Sequence, residues 1–147
     1  GVAQYHDLVP PASILTLMGC IAGDSSAATP RLLSKITSES GLPAGIISTP
    51  TSTIGWKSST CETLQAMMRN NVEQTYGQDQ FGDLAVCAKS GTAEVGSDQA
   101  PHAWFVGSID DVAHPYAFVS VVENGGGGAS VSGKIIATVL NQLCEEG

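Results

Sequence analysis

Positive charge is scarce in this sequence. Its 147 residues hold six Lys and Arg against 14 Asp and Glu, giving a formal net charge of −8 and a pI near 4.5. A non-specific nucleic-acid binder needs a basic face, so this balance argues against that class. Long hydrophobic runs are missing too; none reaches the roughly 18 residues of a membrane span. Cysteine is sparse and scattered. Cys20, Cys61, Cys87 and Cys144 form no C-x-x-C pair. They read as small buried hydrophobes; a disulfide stays open, with partners that spacing cannot choose. His6, His102 and His114 show no metal-ligand spacing, and no cofactor is implied. The chain also lacks an initiating Met and a signal peptide, so it is expected to be a piece cut from something longer.

What is present is globular. The 42% apolar content, against 14% charged, suits one domain or a large part of one. Such a chain buries roughly 68–70% of its unfolded surface.

Pro10-Pro11 predicts a helix over about Ala12–Ala22, with Gly23 as its stop. Ile14, Leu15, Leu17, Met18 and Ile21 make it apolar nearly all round, so it should be buried. Arg31–Thr37 reads as a short strand. Residues 38–58 are rich in Ser, Thr, Gly and Pro and read as loop, with one strand near Gly45–Ser48. Ser59-Thr60-Cys61-Glu62 fits a capping box, with Ser59 as N-cap. The following helix runs to about Tyr76, with Gly77 as stop and Leu64, Met67, Met68 and Val72 on one apolar face.

Three strands follow, at about Leu84–Val95, His102–Ile109 and Tyr116–Glu123. Short turns between them predict an antiparallel meander. Gly125–Gly128 form a break. A last helix over about Ser130–Cys144 carries Val131, Ile135, Val139 and Leu143 on one stripe. The expected class is α+β: an antiparallel sheet at 84–123 packed with helices.

The chemistry sits in Lys89-Ser90-Gly91-Thr92. A peptide can lie along an exposed strand edge and pair with its backbone. Gly91 removes a side chain where such a substrate approaches. The Thr92 N–H can point at a developing oxyanion. The Ser90 and Thr92 hydroxyls, helped by the Lys89 charge, can hold a carboxylate. A bare K-S-G triplet is weak on its own, since an ordinary strand with one lysine has the same form.

A nucleophile to go with it is absent. The residues three before each lysine are Leu32, Ile54, Val86 and Val131, so no S-x-x-K exists. The residues two before each asparagine are Met68, Arg69, Val122 and Val139, so no S-x-N exists. There is no G-x-S-x-G elbow. Gly128-Ala129-Ser130-Val131-Ser132-Gly133-Lys134 has Walker A spacing, which would imply nucleotide binding. Ile135 stands where the Mg²⁺-holding hydroxyl should be, and the preceding strand belongs to a meander. A glycine linker into the last helix is the better reading.

The runs Cys87–Glu94, Ala103-Trp104-Phe105-Val106-Gly107 and Pro115–Asn124 together resemble the C-terminal part of penicillin-binding protein transpeptidase domains. The Thr-Ala-Glu ending is most similar to the monofunctional, class B group. Ala3-Gln4-Tyr5, four residues, then Pro10-Pro11 resembles that family's Gly-Gln-Gly, four residues, Thr-Pro. Gln4 and Pro11 match; both glycines and the threonine do not. Pro30-Arg31-Leu32-Leu33 also looks like the family's proline and apolar strand. The resemblance spans nearly the whole chain, strongly from Cys87 to Asn124 and weakly from about Ser38 to Ser58.

The resemblance implies a partial β-lactamase/transpeptidase-like fold, with 1–147 as the C-terminal portion lacking the upstream segment that bears the nucleophile. It implies peptidoglycan D,D-transpeptidation through a serine ester, with penicillins as suicide acyl donors, in an extracytoplasmic, membrane-anchored protein. Partners would be the peptidoglycan stem peptide and β-lactams. Lys89 would supply charge, Ser90 and Thr92 would bind the carboxylate, Gly91 would give access, and the Thr92 N–H would be half of an oxyanion hole. This chain alone would be inactive. Glu94 and Trp104 match family positions and read as structural, Trp104 in the core. The family sheet also has strands from chain further upstream, so the Tyr116–Glu123 strand should have an open side, which favours dimerisation or strand exchange. Two alternatives share the motif: the C-terminal part of a β-lactam sensor, and a degenerate non-catalytic binding module. The Thr-Ala-Glu and Trp-Phe-Val-Gly signatures favour the transpeptidase over the sensor.

Overall fold

The computed structural model describes residues 9–33, 35–45, 47–95 and 98–145. Gln4, used in the N-terminal match, lies outside them.

β-Branched and aromatic residues build the central sheet. Strands β5 (Val86–Ala93), β6 (His102–Ile109) and β7 (Ala117–Val122) pair antiparallel in the order β5-β6-β7. The register sets Lys89 opposite Val106, Gly91 opposite Trp104, and Gly107 opposite Phe118. Alternation then sorts the side chains onto two faces. Val86, Ala88, Phe105, Ile109 and Phe118 point one way, into a core completed by Val72, Phe81, Ile136, Ala137 and Leu140. Phe105 is fully buried and stacks between Phe81 and Phe118, with ring centroids 6.2 Å away on each side. The opposite face presents Cys87, Val106 and Ala117 to Met18, Ile21 and Met68.

Helix α1 (Pro11–Ala22) lies on that second face, and α3 (Lys134–Glu145) covers the first. The helix predicted from Pro10-Pro11 is present, with Pro11 at its first position. It is not buried all round: Met18, Cys20 and Ile21 are buried, while Ile14, Leu15 and Leu17 are half-buried. Only one side meets the sheet. It ends where Asp24 and Ser25 turn left-handed, at φ 49° and 76°. Gly23 is needed there for space, since a Cβ on it would sit 2.2 Å from the Ser26 carbonyl oxygen.

The segment from 26 to 53 forms two ribbons. Strand β1 (Ser26–Ala28) pairs with β4 (Thr51–Thr53), and β2 (Ile36–Thr37) with β3 (Pro43–Gly45). The predicted strand over Arg31–Thr37 is therefore reduced to its last two residues. The strand expected near Gly45–Ser48 falls earlier, ending at Gly45; Ile46 lies outside the described residues. Residues 31–33 are exposed and gain no burial by pairing.

Helix α2 (Ser58–Asn71) begins one residue before the expected cap. Lys57 is the N-cap, and no side-chain capping bond forms, so the Ser59–Glu62 box is not made. Within the helix, the Thr63 hydroxyl donates to the Ser59 carbonyl at 2.6 Å. Met68 and Val72 are buried, but Met67 is 61% exposed and leaves the apolar face proposed for it. The last turn widens into a π-turn over Val72–Tyr76, closed by Gly77 N–H on the Val72 carbonyl at 2.9 Å. A 3-10 turn (Gln78–Phe81) then delivers Phe81 to the core.

The stripe predicted on the last helix exists but faces outward. Ile135, Val139 and Leu143 are exposed, and Ile136, Ala137 and Leu140 make the packing. The helix has two apolar sides, and sequence spacing cannot rank them. Trp104 is likewise half-buried, outside both core clusters; its neighbour Phe105 holds the core position. On β6 those two residues point to opposite faces. All four cysteines are free thiols: Cys20, Cys61 and Cys87 buried, Cys144 half-exposed. No described helix is long and apolar enough to cross a membrane, and no cluster of His, Cys, Asp or Glu among the described residues could hold a metal.

Candidate functional site

Strand β5 changes character along its length. Val86, Cys87 and Ala88 are buried, Ser90 and Gly91 half-buried, and Lys89 and Thr92 exposed. The change follows from what lies along the outer edge. Arg69 Nη1 donates to the Val86 carbonyl at 3.2 Å, and Asn71 Nδ2 to the Ala88 carbonyl at 3.4 Å. The π-turn then brings Tyr76 to Ser90. The Ser90 N–H donates to the phenol oxygen at 3.0 Å, and the two hydroxyls lie 3.0 Å apart. Lys89 Nζ donates to the Ser90 carbonyl at 2.6 Å.

These contacts fix the direction of every backbone group on the strand. In an antiparallel pair, alternate residues turn N–H and C=O away from the neighbour. Val86, Ala88 and Ser90 do so, and Thr92 is next in that series. The Thr92 N–H therefore points off the open edge, and among the described residues no side chain takes it. The structure thus brings the Ser90 hydroxyl, the Lys89 ammonium and an outward Thr92 N–H to one strand edge. Glu94 follows, exposed, just past the strand end.

Gly91 lies on the other face. A Cβ there would stand 3.2 Å from Trp104 Cβ, so the glycine relieves crowding across the pair. From behind, Gly128 rests on the same strand. A Cβ on Gly128 would sit 2.5 Å from the Gly91 and Trp104 carbonyl oxygens. Gly128, Ser132 and Gly133 are buried against the sheet, and the Ser132 hydroxyl donates to the Ala103 carbonyl at 2.7 Å. The glycines of the Walker-like segment are thus occupied by the sheet, in a π-turn (Gly128–Gly133) that leads into α3. They form no phosphate cradle.

The Cys87 thiol is pushed up to about 11, chiefly by burial and then by the charge of Asp110. It is unsuited to act as a thiolate nucleophile at neutral pH. Cys61 is likewise buried, in α2. A groove of about 560 Å³ lies between the end of α1 and the β6–β7 turn, lined among others by Gly23, Gln65, Asp110 and Tyr116. None of Lys89, Ser90, Gly91 or Thr92 lines it.

Sequence reasoning missed the braces along β5. Arg69, Asn71 and Tyr76 lie 17, 17 and 14 residues from their partners. Their reach depends on the π-turn, which leaves no mark in the apolar pattern.

The family model described as the penicillin-binding protein transpeptidase domain matches residues 3–143. Among curated proteins no match is found. Penicillin-binding protein A from M. tuberculosis, solved as an imipenem acyl-enzyme, superposes with a TM-score of 0.83 at 20% identity, over 96% of this chain and 32% of that one. The D,D-transpeptidase domain of a peptidoglycan glycosyltransferase from Eggerthella lenta gives 0.73 at 21%, over 90% and 31%. A penicillin-binding protein (PBP2) from Helicobacter pylori, solved in complex with MreC, gives 0.73 at 22%, over 98% and 26%. The chain thus spans about a third or less of the length of these structures. With α1 on one face of the β5-β6-β7 meander, α3 on the other, and a match that runs over nearly its whole length, the chain belongs to the penicillin-binding protein transpeptidase domain family.

Proposed function

We propose that this chain is the C-terminal portion of a peptidoglycan D,D-transpeptidase and that β5 is its substrate-binding edge. The observation that carries the reading is the outward Thr92 N–H beside the Ser90 hydroxyl and the Lys89 ammonium. A D-Ala-D-Ala stem peptide would lie along this edge. Its terminal carboxylate would take hydrogen bonds from Ser90 and Thr92, with Lys89 lending charge. The Thr92 N–H would stabilise the oxyanion that forms when a serine oxygen adds to the penultimate carbonyl. Collapse breaks the peptide bond, leaves a serine ester and releases D-Ala with the serine's proton; an amine from a second stem peptide then displaces the ester oxygen. A β-lactam would enter the same route, its ring amide opening without losing a fragment.

The serine lies outside these residues, so this chain alone forms no acyl ester. Its surroundings in the full-length protein would be extracytoplasmic, because peptidoglycan is. The test is labelling with a fluorescent penicillin. The full-length protein should take up the label covalently and this chain alone should not. An adduct on residues 1–147 alone, or none on the full-length protein, would overturn the reading.

A further inference from the structure

We propose that Tyr76 is a positioning residue that aims the Ser90 hydroxyl at the substrate carboxylate. This rests on the reading of Ser90 as a carboxylate-binding group. The phenol oxygen lies 3.0 Å from both Ser90 N and Ser90 Oγ. A backbone N–H can only donate, so the phenol oxygen accepts there. Its own proton remains. An ionised carboxylate can only accept. When one arrives at Ser90, the serine must give its proton to it, and Tyr76 must then donate to Ser90 Oγ. The chain from Tyr76 O–H to Ser90 O–H to carboxylate satisfies every group at once. Each bond in it polarises the next and makes Ser90 a stronger donor.

The phenol is held for this role. Its ring meets the buried Phe105 edge-on, at 5.3 Å between centroids. Gln80 Nε2 donates to the Tyr76 carbonyl at 2.6 Å. The π-turn that carries it is closed by Gly77 at φ 91°, a conformation costly for other residues. Turns of this kind recur at functional sites.

A second consequence concerns register. Tyr76 occupies the Ser90 N–H, and Lys89 occupies the Ser90 carbonyl. An incoming peptide strand therefore starts its backbone pairing at Thr92. Tyr76 marks the end of the usable edge.

The test is Tyr76→Phe in the full-length protein, which keeps the ring on Phe105 and removes only the hydroxyl. Acylation rates are compared for a penicillin with its free carboxylate and for its methyl ester. Losing a hydrogen bond that reaches a charged group should slow the acid by about tenfold. The ester should be little changed. Equal slowing of both, or of neither, would overturn the proposal, since a purely structural role does not distinguish acid from ester. Ser90→Ala separates the two readings. If it fails to distinguish acid from ester, the carboxylate site itself is wrong. If it does so and Tyr76→Phe does not, only the role of Tyr76 is wrong. Amide exchange of the unsubstituted and Tyr76→Phe forms of the full-length protein gives a readout free of catalysis. The Ser90 amide should lose protection while Phe105 keeps its own; unchanged protection at Ser90 would contradict the contact.

Discussion

Ser132 and Ala103 are joined by a buried hydrogen bond, hydroxyl to carbonyl at 2.7 Å, that ties the turn before α3 to the middle strand of the sheet. The bond lies one residue from Trp104, whose backbone supports Gly128. Ser132→Ala should therefore lower stability by about 1 kcal/mol, the net worth of one such bond. Gly128→Ala should cost more, about 1–3 kcal/mol, because its methyl group meets backbone oxygens that cannot move aside. Urea midpoints of the two variants should rank in that order. In the full-length protein only Gly128→Ala should also slow penicillin acylation.

The oxyanion role proposed for Thr92 is open to a backbone test. Its N–H points away from β6, so proline at 92 breaks no sheet bond. Thr92→Pro in the full-length protein should reduce acylation by about 10²–10³-fold, the usual effect of losing one oxyanion donor. Thr92→Val, which keeps the N–H and removes only the hydroxyl, should lose far less. Similar losses in the two would place the contribution in the side chain.

Alkaline pH should expose Cys87. Burial holds its thiol at about 11, against an ordinary 9.0. The folded pKa is thus raised, so the neutral thiol favours the folded state. Below pH 9.0 the thiol is neutral in both states and that contribution is whole. As pH rises toward and through about 11 the unfolded chain ionises first, and the contribution is lost. Urea midpoints should fall over this window more steeply than in Cys87→Ala. A thiol reagent near neutral pH should modify half-exposed Cys144 first and spare Cys20, Cys61 and Cys87.

Strand β7 ends the sheet, with no strand on its far side among the described residues. An open edge of this kind invites pairing with another chain. Light scattering on this chain should report a dimer, and Val121→Lys should shift it toward monomer. A monomer at high concentration would sink the expectation.

The sheet was legible because its strands advertise themselves. Val119, Val121 and Val122, with Phe118, favour a strand wherever they fall, and short turns left only a meander. The ribbons of β1 and β4 were not, because Ser, Ala and Thr carry no apolar alternation to read. Trp104 shows a different limit. Its size points to the core, but strand parity gives that place to Phe105. Of the candidate site, the strand edge could be read and its braces could not. In the sequence Tyr76 reads as the end of a helix, and only the widened last turn takes it to Ser90.

Gly128 lies directly on the backbone of the strand that carries Lys89, Ser90 and Thr92. The strand proposed to hold the substrate thus rests on a floor one glycine thick, built from a segment more than thirty residues further along the chain. A mutational scan scored only on acylation would find sensitive positions at the far end of the chain. They would mark the support of that strand, a role distinct from contact with a ligand.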